Sequence, residues 1–225
     1  MTMQEEGVRR GRLSRRALLR RAGAAGVVAA VPAGVFAADV ASAPERERLE
    51  TFTATEADIA DAFVSRLIPN DASGPGAQEA RVLRYIDRAL SGELAPARSA
   101  YTAGLAATDA YARSRFGAGF ASLGPAQQDA VLTDMERNVA PGFTPNSRTF
   151  FDLVREHALQ GMFGDPVHGG NADFIGWDLI GFAGLKLEFT EAEQQLDVTV
   201  TPAHKSVVDY PMFSGARGGG HAHHH

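Results

Sequence analysis

Thr55-Glu56-Ala57-Asp58-Ile59-Ala60-Asp61-Ala62-Phe63-Val64-Ser65-Arg66-Leu67, closed by Ile68-Pro69, reads as an amphipathic helix, and that reading sets the fold class of the chain. Thr55 offers a capping hydroxyl, and Glu56 and Asp58 place negative charge on the first turn. Ile59, Phe63 and Leu67 recur every four residues along one face. Pro69 cannot continue the hydrogen-bond ladder and ends it. Four more segments follow the same pattern. A second helix is expected over 77–90, with Val82, Leu83, Ile86, Ala89 and Leu90 facing inward. A third spans 96–115, aligning Tyr101, Leu105, Thr108 and Ala112. Gly117-Ala118-Gly119 breaks the chain before Ser122-Leu123-Gly124-Pro125 opens a fourth, with Pro125 in its first turn and Val131, Leu132 and Met135 as core positions. A fifth covers 146–160, with Phe150, Val154, His157 and Ala158 on one side. Five amphipathic helices with short connections predict an all-α fold, a small helical bundle.

Between and after these helices the composition changes. Pro69-Asn70-Asp71-Ala72-Ser73-Gly74-Pro75-Gly76 is dense in turn formers and reads as a loop. Residues 161–184 are rich in glycine and aromatics. Leu196-Asp197-Val198-Thr199-Val200 alternates like a short strand. The end closes in Gly218-Gly219-Gly220-His221-Ala222-His223-His224-His225. The expected organisation is a targeting segment over 1–43, a helical domain over 44–190, and an extended C-terminal arm with a His-rich tail over 191–225.

The 225 residues are 44% hydrophobic and 22% charged, which is a globular balance. Residues 44–225 carry 15 basic and 24 acidic residues, a net charge of −9. That charge argues against nucleic acid, whose phosphates reward positive surfaces. Cysteine is absent, so this chain alone builds no disulfide, zinc-thiolate site, iron–sulfur cluster or covalently attached haem.

Ser14-Arg15-Arg16-Ala17-Leu18-Leu19-Arg20 fits the twin-arginine export pattern. The uncharged stretch from Ala22 to Ala38 is mildly apolar and shorter than the roughly 20 residues of a comfortable membrane span. Small residues around Val35-Phe36-Ala37 and Ala41-Ser42-Ala43 offer cleavage sites. Pro44 disfavours the second. A basic helix lying on a membrane and an uncleaved N-terminal anchor are the competing readings. The twin-arginine route carries proteins that are already folded. A chain with no cofactor motif of its own has little need of it unless it travels with a folded partner.

Gly164-Asp165-Pro166-Val167-His168-Gly169-Gly170-Asn171, then Gly176-Trp177-Asp178 and Gly181-Phe182-Ala183-Gly184, is the most unusual stretch. One reading is a compact loop folded over the bundle end and plugged by Trp177 and Phe182. The other is a docking surface built on rigid aromatic loops. A stand-alone metal-dependent enzyme using His168, Asp165 and Asp173 is the catalytic alternative, but three or four ligands at a recognised spacing are not evident. Asn70, Asp71 and Ser73 fall short of a calcium loop. Gly117-Ala118-Gly119 lacks the third glycine and the preceding strand of a dinucleotide fingerprint. His157 reads as a core histidine. The terminal histidines could bind a divalent metal without defining the function.

Leu67-Ile68-Pro69-Asn70-Asp71-Ala72-Ser73-Gly74-Pro75-Gly76-Ala77, with Tyr85-Ile86-Asp87 downstream, resembles the opening motif of the gluconate 2-dehydrogenase subunit 3 family. Tyr101 to Leu105, Phe120-Ala121-Ser122-Leu123 and Gln127-Gln128 continue the likeness. Gly161 to Asn171, Gly176-Trp177 and Ile180 to Gly184 resemble its closing motif, with His168 where the pattern has Tyr. The resemblance covers about residues 53–185. It implies a small, non-catalytic subunit of a membrane-bound, periplasm-facing sugar or polyol dehydrogenase. The large subunit would carry FAD, a cytochrome c subunit would pass electrons on, and this chain would hold no cofactor or metal. The small subunit would supply the export signal, with Ser14, Arg15, Arg16, Leu18 and Leu19 as its determinants, and help its partner mature. The expected contact surface comprises Pro69, Asp71, Pro75 and Gly76 from one loop, and Asp165, Pro166, His168, Gly169, Gly170, Asn171, Trp177 and Phe182 from the other. The C-terminal arm is a further candidate for that contact.

Overall fold

The computed structural model describes residues 49–196, 198 and 200–214. The twin-arginine run and the His-rich tail lie outside the described residues. Helix α1 spans Ala54–Leu67 and is opened by Thr53, two residues before the expected Thr55. The acid three residues on decides between the two hydroxyls. Glu56 accepts the Thr53 N–H at 2.9 Å while the Thr53 hydroxyl accepts the Glu56 N–H at 3.3 Å, a reciprocal cap that the shorter Asp58 does not give Thr55. Arg98 joins from across the bundle at 2.8 Å. Its guanidinium, with the Thr53 cap, holds the Glu56 carboxyl down at about 2.

Helix α2 is Val82–Ala89, five residues later than the periodicity of 77–90 predicts. The Ala77 N–H turns back to Ile68 O at 2.8 Å, and Ala80 O accepts the Ala172 N–H from a distant loop at 3.3 Å. Arg81 sits in the left-handed region at φ 56°. These ties pull residues 77–81 out of helical geometry despite their composition. Helix α3 (Arg98–Phe116) follows a single 3-10 turn, Ala95–Ala97. Helix α4 (Pro125–Glu136) starts on the expected proline. Helix α5 (Ser147–Phe163) is capped by Asn146, whose side chain accepts the Thr149 N–H at 3.0 Å, and runs a turn beyond the expected Gln160. Two short helices, α6 (Ile175–Leu179) and α7 (Pro211–Ser214), lie in the glycine-rich region and the arm. No helix among the described residues is long and apolar enough to cross a membrane.

Helices α1 to α5 form the bundle. The expected inward sets of α3, α4 and α5 are buried, as are Ile59 and Phe63 of α1, while Leu67 and Leu83 are half-buried. Phe63 is sealed, its ring 6.0–6.2 Å from those of Phe120, Phe150 and Phe151. Burying such a ring stabilises by about 1.5–3 kcal/mol. Gly104 makes room for this packing, since a Cβ there would meet the Phe150 ring at 2.3 Å. His157 is a core residue as expected. It lies 3.1 Å from the Tyr101 hydroxyl and stacks on that ring, and burial pushes its pKa down.

Asp87 is fully buried, and its carboxylate accepts the backbone N–H groups of Glu50 at 2.6 Å, Thr51 at 2.9 Å and Phe52 at 2.8 Å. One acid thus fastens the chain that leads into α1.

No strand occurs among the described residues, which include 196, 198 and 200 of the expected strand. An alternating segment needs an edge to pair with, and Leu196 stands 93% exposed. The arm instead returns to the glycine-rich region. The Ala203 N–H bonds Ala183 O at 2.8 Å, and Tyr210 donates its hydroxyl to Leu185 O.

Candidate functional site: the glycine-rich end of the bundle

A helix leaves its last carbonyls without partners, and α5 ends inside the protein. The residues after it supply the missing donors. The Gly164 N–H caps Gln160 O at 2.8 Å and the Asn171 N–H reaches Gly161 O at 2.7 Å. The Trp177 indole N–H donates to Phe163 O at 2.8 Å, and the Asn171 side-chain amide to Gly164 O at 2.8 Å. Asn171 Oδ1 accepts the Gly176 N–H at 2.8 Å. Asn171 is fully buried and left-handed at φ 43°, a conformation asparagine tolerates better than most residues. The glycines permit backbone to lie on backbone: a Cβ on Gly176 would stand 1.8 Å from Met162 O, and one on Gly170 2.2 Å from Gly161 O.

Four residues of the expected contact surface are buried within this chain. Gly170, Asn171 and Trp177 face inward, and Gly76 is buried as well. Asn171 and Trp177 are frame residues because the carbonyls of α5 claim them, Gly170 lies against Gly161 O, and the Gly76 N–H is held by the Glu79 carboxylate. Trp177 is the plug, as expected. Phe182 packs edge-on against it at 5.0 Å but remains nearly half exposed.

Asp165 is equally committed. Its carboxylate accepts the Val167 N–H at 3.0 Å, the Val207 N–H at 2.9 Å and the Ser206 hydroxyl, so it ties the arm to the bundle end. His168 is exposed on the rim of a cleft lined by Tyr85, Arg88, Ala89, Glu93 and Val167. Arg88 donates to Val167 O at 3.2 Å, and Tyr85 donates to Gln160 Oε1 at 3.0 Å. Burial pushes the Tyr85 phenol up, which keeps it a donor. No three His, Asp or Glu side chains among the described residues converge as metal ligands would. Pro166 and Gly169 are half-buried beside His168.

The 69–76 loop meets this region. Asp71 and Gly74 exchange backbone hydrogen bonds at 3.2 and 3.1 Å, and Asp71 Oδ1 accepts the Ser73 N–H at 2.7 Å. The acid closes a turn. Glu79 bonds Asn70 and the Gly76 N–H, and the Asn70 amide leads in lowering its carboxyl pKa. Gly74 lies against Leu179 of α6, so the two loops that the sequence paired are neighbours in space. Pro69 and Asp71 are exposed and Pro75 is half-buried. The other glycine pair, Gly117 and Gly119, ends α3: Gly117 is its left-handed cap, and a Cβ on Gly119 would strike Asp109.

Sequence reasoning missed Leu179 and Ile180, which stand 42% and 58% exposed beside Phe182. Ile180, a bare β-branched residue directly before Gly181, was the available signal. It also missed His204, which lies 2.7 Å from Asp178 Oδ1 and stacks on Phe174 at 5.2 Å, a contact between distant segments.

The family model described as gluconate 2-dehydrogenase subunit 3 matches residues 54–184. It begins with the first residue of α1 and ends at Gly184, ahead of the arm. No curated protein and no solved structure matches the chain.

Proposed function

Since the chain belongs to the gluconate 2-dehydrogenase subunit 3 family, we propose that it is a non-catalytic accessory subunit of a periplasmic, FAD-dependent sugar or polyol dehydrogenase. The chain binds the catalytic subunit, which holds the flavin. It assists that subunit's maturation and carries it, folded, across the membrane on its own twin-arginine signal. A cytochrome c subunit completes the route by which electrons leave, and the assembly is held at the membrane.

The family match over 54–184 carries this reading. Two further observations support it. Ser14-Arg15-Arg16-Ala17-Leu18-Leu19 fits a route that accepts folded cargo. The conspicuous polar side chains of the glycine-rich end, Asp165 and Asn171, are engaged in backbone hydrogen bonds and are not free for chemistry.

Expressing the chain with its neighbouring genes in its own host and isolating it from periplasmic and membrane fractions tests the proposal. A stoichiometric partner that releases FAD on denaturation is the expected result. A lone, stable, flavin-free chain would sink it. In the same strain, changing Arg15 and Arg16 together to Lys should leave both polypeptides in the cytoplasm. Continued export of the partner would remove the escort role while leaving the subunit role standing.

A further inference from the structure

Twelve large apolar side chains stand exposed among the described residues, and ten of them fall between Leu179 and Phe213. Val139 and Leu159 are the exceptions. The backbone beneath this cluster is tied down. Ala183 and Leu185 bond Ala203 and Lys205, Tyr210 holds Leu185 O, and Asp165 holds Ser206 and Val207. A stretch fastened at so many points while its Ile180, Phe182, Met212 and Phe213 side chains meet water has the character of an unfilled interface.

Charge selects the occupant. Residues 178–214 carry six carboxylates, on Asp178, Glu188, Glu191, Glu193, Asp197 and Asp209, against Lys186 and Lys205. Lys186 pairs with Glu193 and lies over Phe189, His204 meets Asp178, and Lys205 lies over Tyr210, so the segment keeps a net charge of −4 with His neutral. A second copy of the chain would set acid against acid, and an anionic lipid surface would repel the same rim. An apolar protein surface edged with Arg and Lys satisfies both the centre and the rim.

We propose that the segment from Leu179 to Phe213 is the surface on which the catalytic dehydrogenase subunit docks, through an apolar patch with a basic rim on that subunit. The proposal rests on the subunit reading above and moves the contact away from the buried motif residues. Most of this surface lies beyond residue 184, where the family match ends.

The test is capture of the dehydrogenase by the full-length chain, read as flavin and partner polypeptide per mole of bait. Phe182→Glu combined with Phe213→Glu should reduce capture by roughly tenfold or more, as loss of aromatic anchors does. Val139→Glu, a more exposed apolar position outside the segment, should leave capture within about twofold. A second pair, Leu187→Glu with Phe189→Glu, leaves the Phe182–Trp177 contact unaltered and guards against a folding defect. Melting temperatures of all variants are compared with wild type. Undiminished capture by both folded pairs would overturn the docking assignment while leaving the subunit reading intact. Absence of any captured flavoprotein with the wild-type chain would overturn the subunit reading itself, and this assignment with it.

Discussion

In the bundle, Phe63, Tyr101, Phe120 and Met135 are sealed from water, whereas beyond Gly164 the side chains of Ile180, Phe182 and Met212 stand in it. The first region is held by apolar burial between helices whose faces repeat every three to four residues. The second is held largely by hydrogen bonds to backbone groups: α5 carbonyls taken by Asn171 and Trp177, and the Val207 N–H of the arm taken by Asp165, which also holds the Ser206 hydroxyl. Burial is non-directional and tolerates repacking. A capped helix end depends on a few groups at fixed positions, each costly to leave unmade. A region built in the second way can fix its backbone without hiding its apolar surface, which leaves that surface for a partner.

Substitutions can break this contrast, and the largest effect belongs to the bundle. Phe63→Ala should cost about 3–5 kcal/mol and lower the denaturant midpoint of the whole domain, read by circular dichroism. Asn171→Ala should cost less, roughly 2–4 kcal/mol, by leaving Gly164 O and the Gly176 N–H unpaired. Its signature is local. Hydrogen exchange should speed up over about residues 164–180 while α1 and α3 keep their protection. Equal loss of protection in both regions would show that the two are one cooperative unit.

A smaller effect sharpens the account of α1. Thr53→Ala removes the side-chain half of the reciprocal cap and should cost about 1 kcal/mol, while Thr55→Ala should be close to neutral in the same melt. Two pKa shifts in the bundle give a pH test. Burial lowers the His157 pKa below its ordinary 6.5, so the unfolded chain binds the proton first. The penalty grows as pH falls from about 7 through 6.5 and is complete below the folded value. Glu56 is held at about 2 against an ordinary 4.5. Its contribution is present above 4.5 and is lost as pH falls toward 2. His157→Gln should flatten the stability profile in the upper window and Glu56→Gln in the lower, as measured by urea midpoints across pH.

Much of the fold was legible in the sequence. Periodicity at Tyr101, Leu105, Thr108 and Ala112 names a buried face whichever neighbour covers it, and Pro125 marks a helix start by its own stereochemistry. Failures came where a distant segment intervened. Residues 77–81 have helical composition, but Ile68 and Ala172 take their backbone groups. Leu196, Val198 and Val200 alternate in the sequence but are not in a strand. In the candidate site the conspicuous residues were visible but their roles were not: Asn171 and Trp177 looked like contact residues because their hydrogen-bond partners lie on α5, back along the chain. Asp87 gave no sign that it gathers three N–H groups from residues 50–52.

By itself, then, the sequence determined the five helices of the bundle, the placement of the two loops and the kinship with a dehydrogenase subunit. Those follow from local stereochemistry, from side-chain period and from motif residues in order along the chain. Only the tertiary structure decided which motif residues are frame and which surface is left uncovered. That depends on where each α5 carbonyl finds its donor, and on which apolar side chains remain outside once those bonds are made.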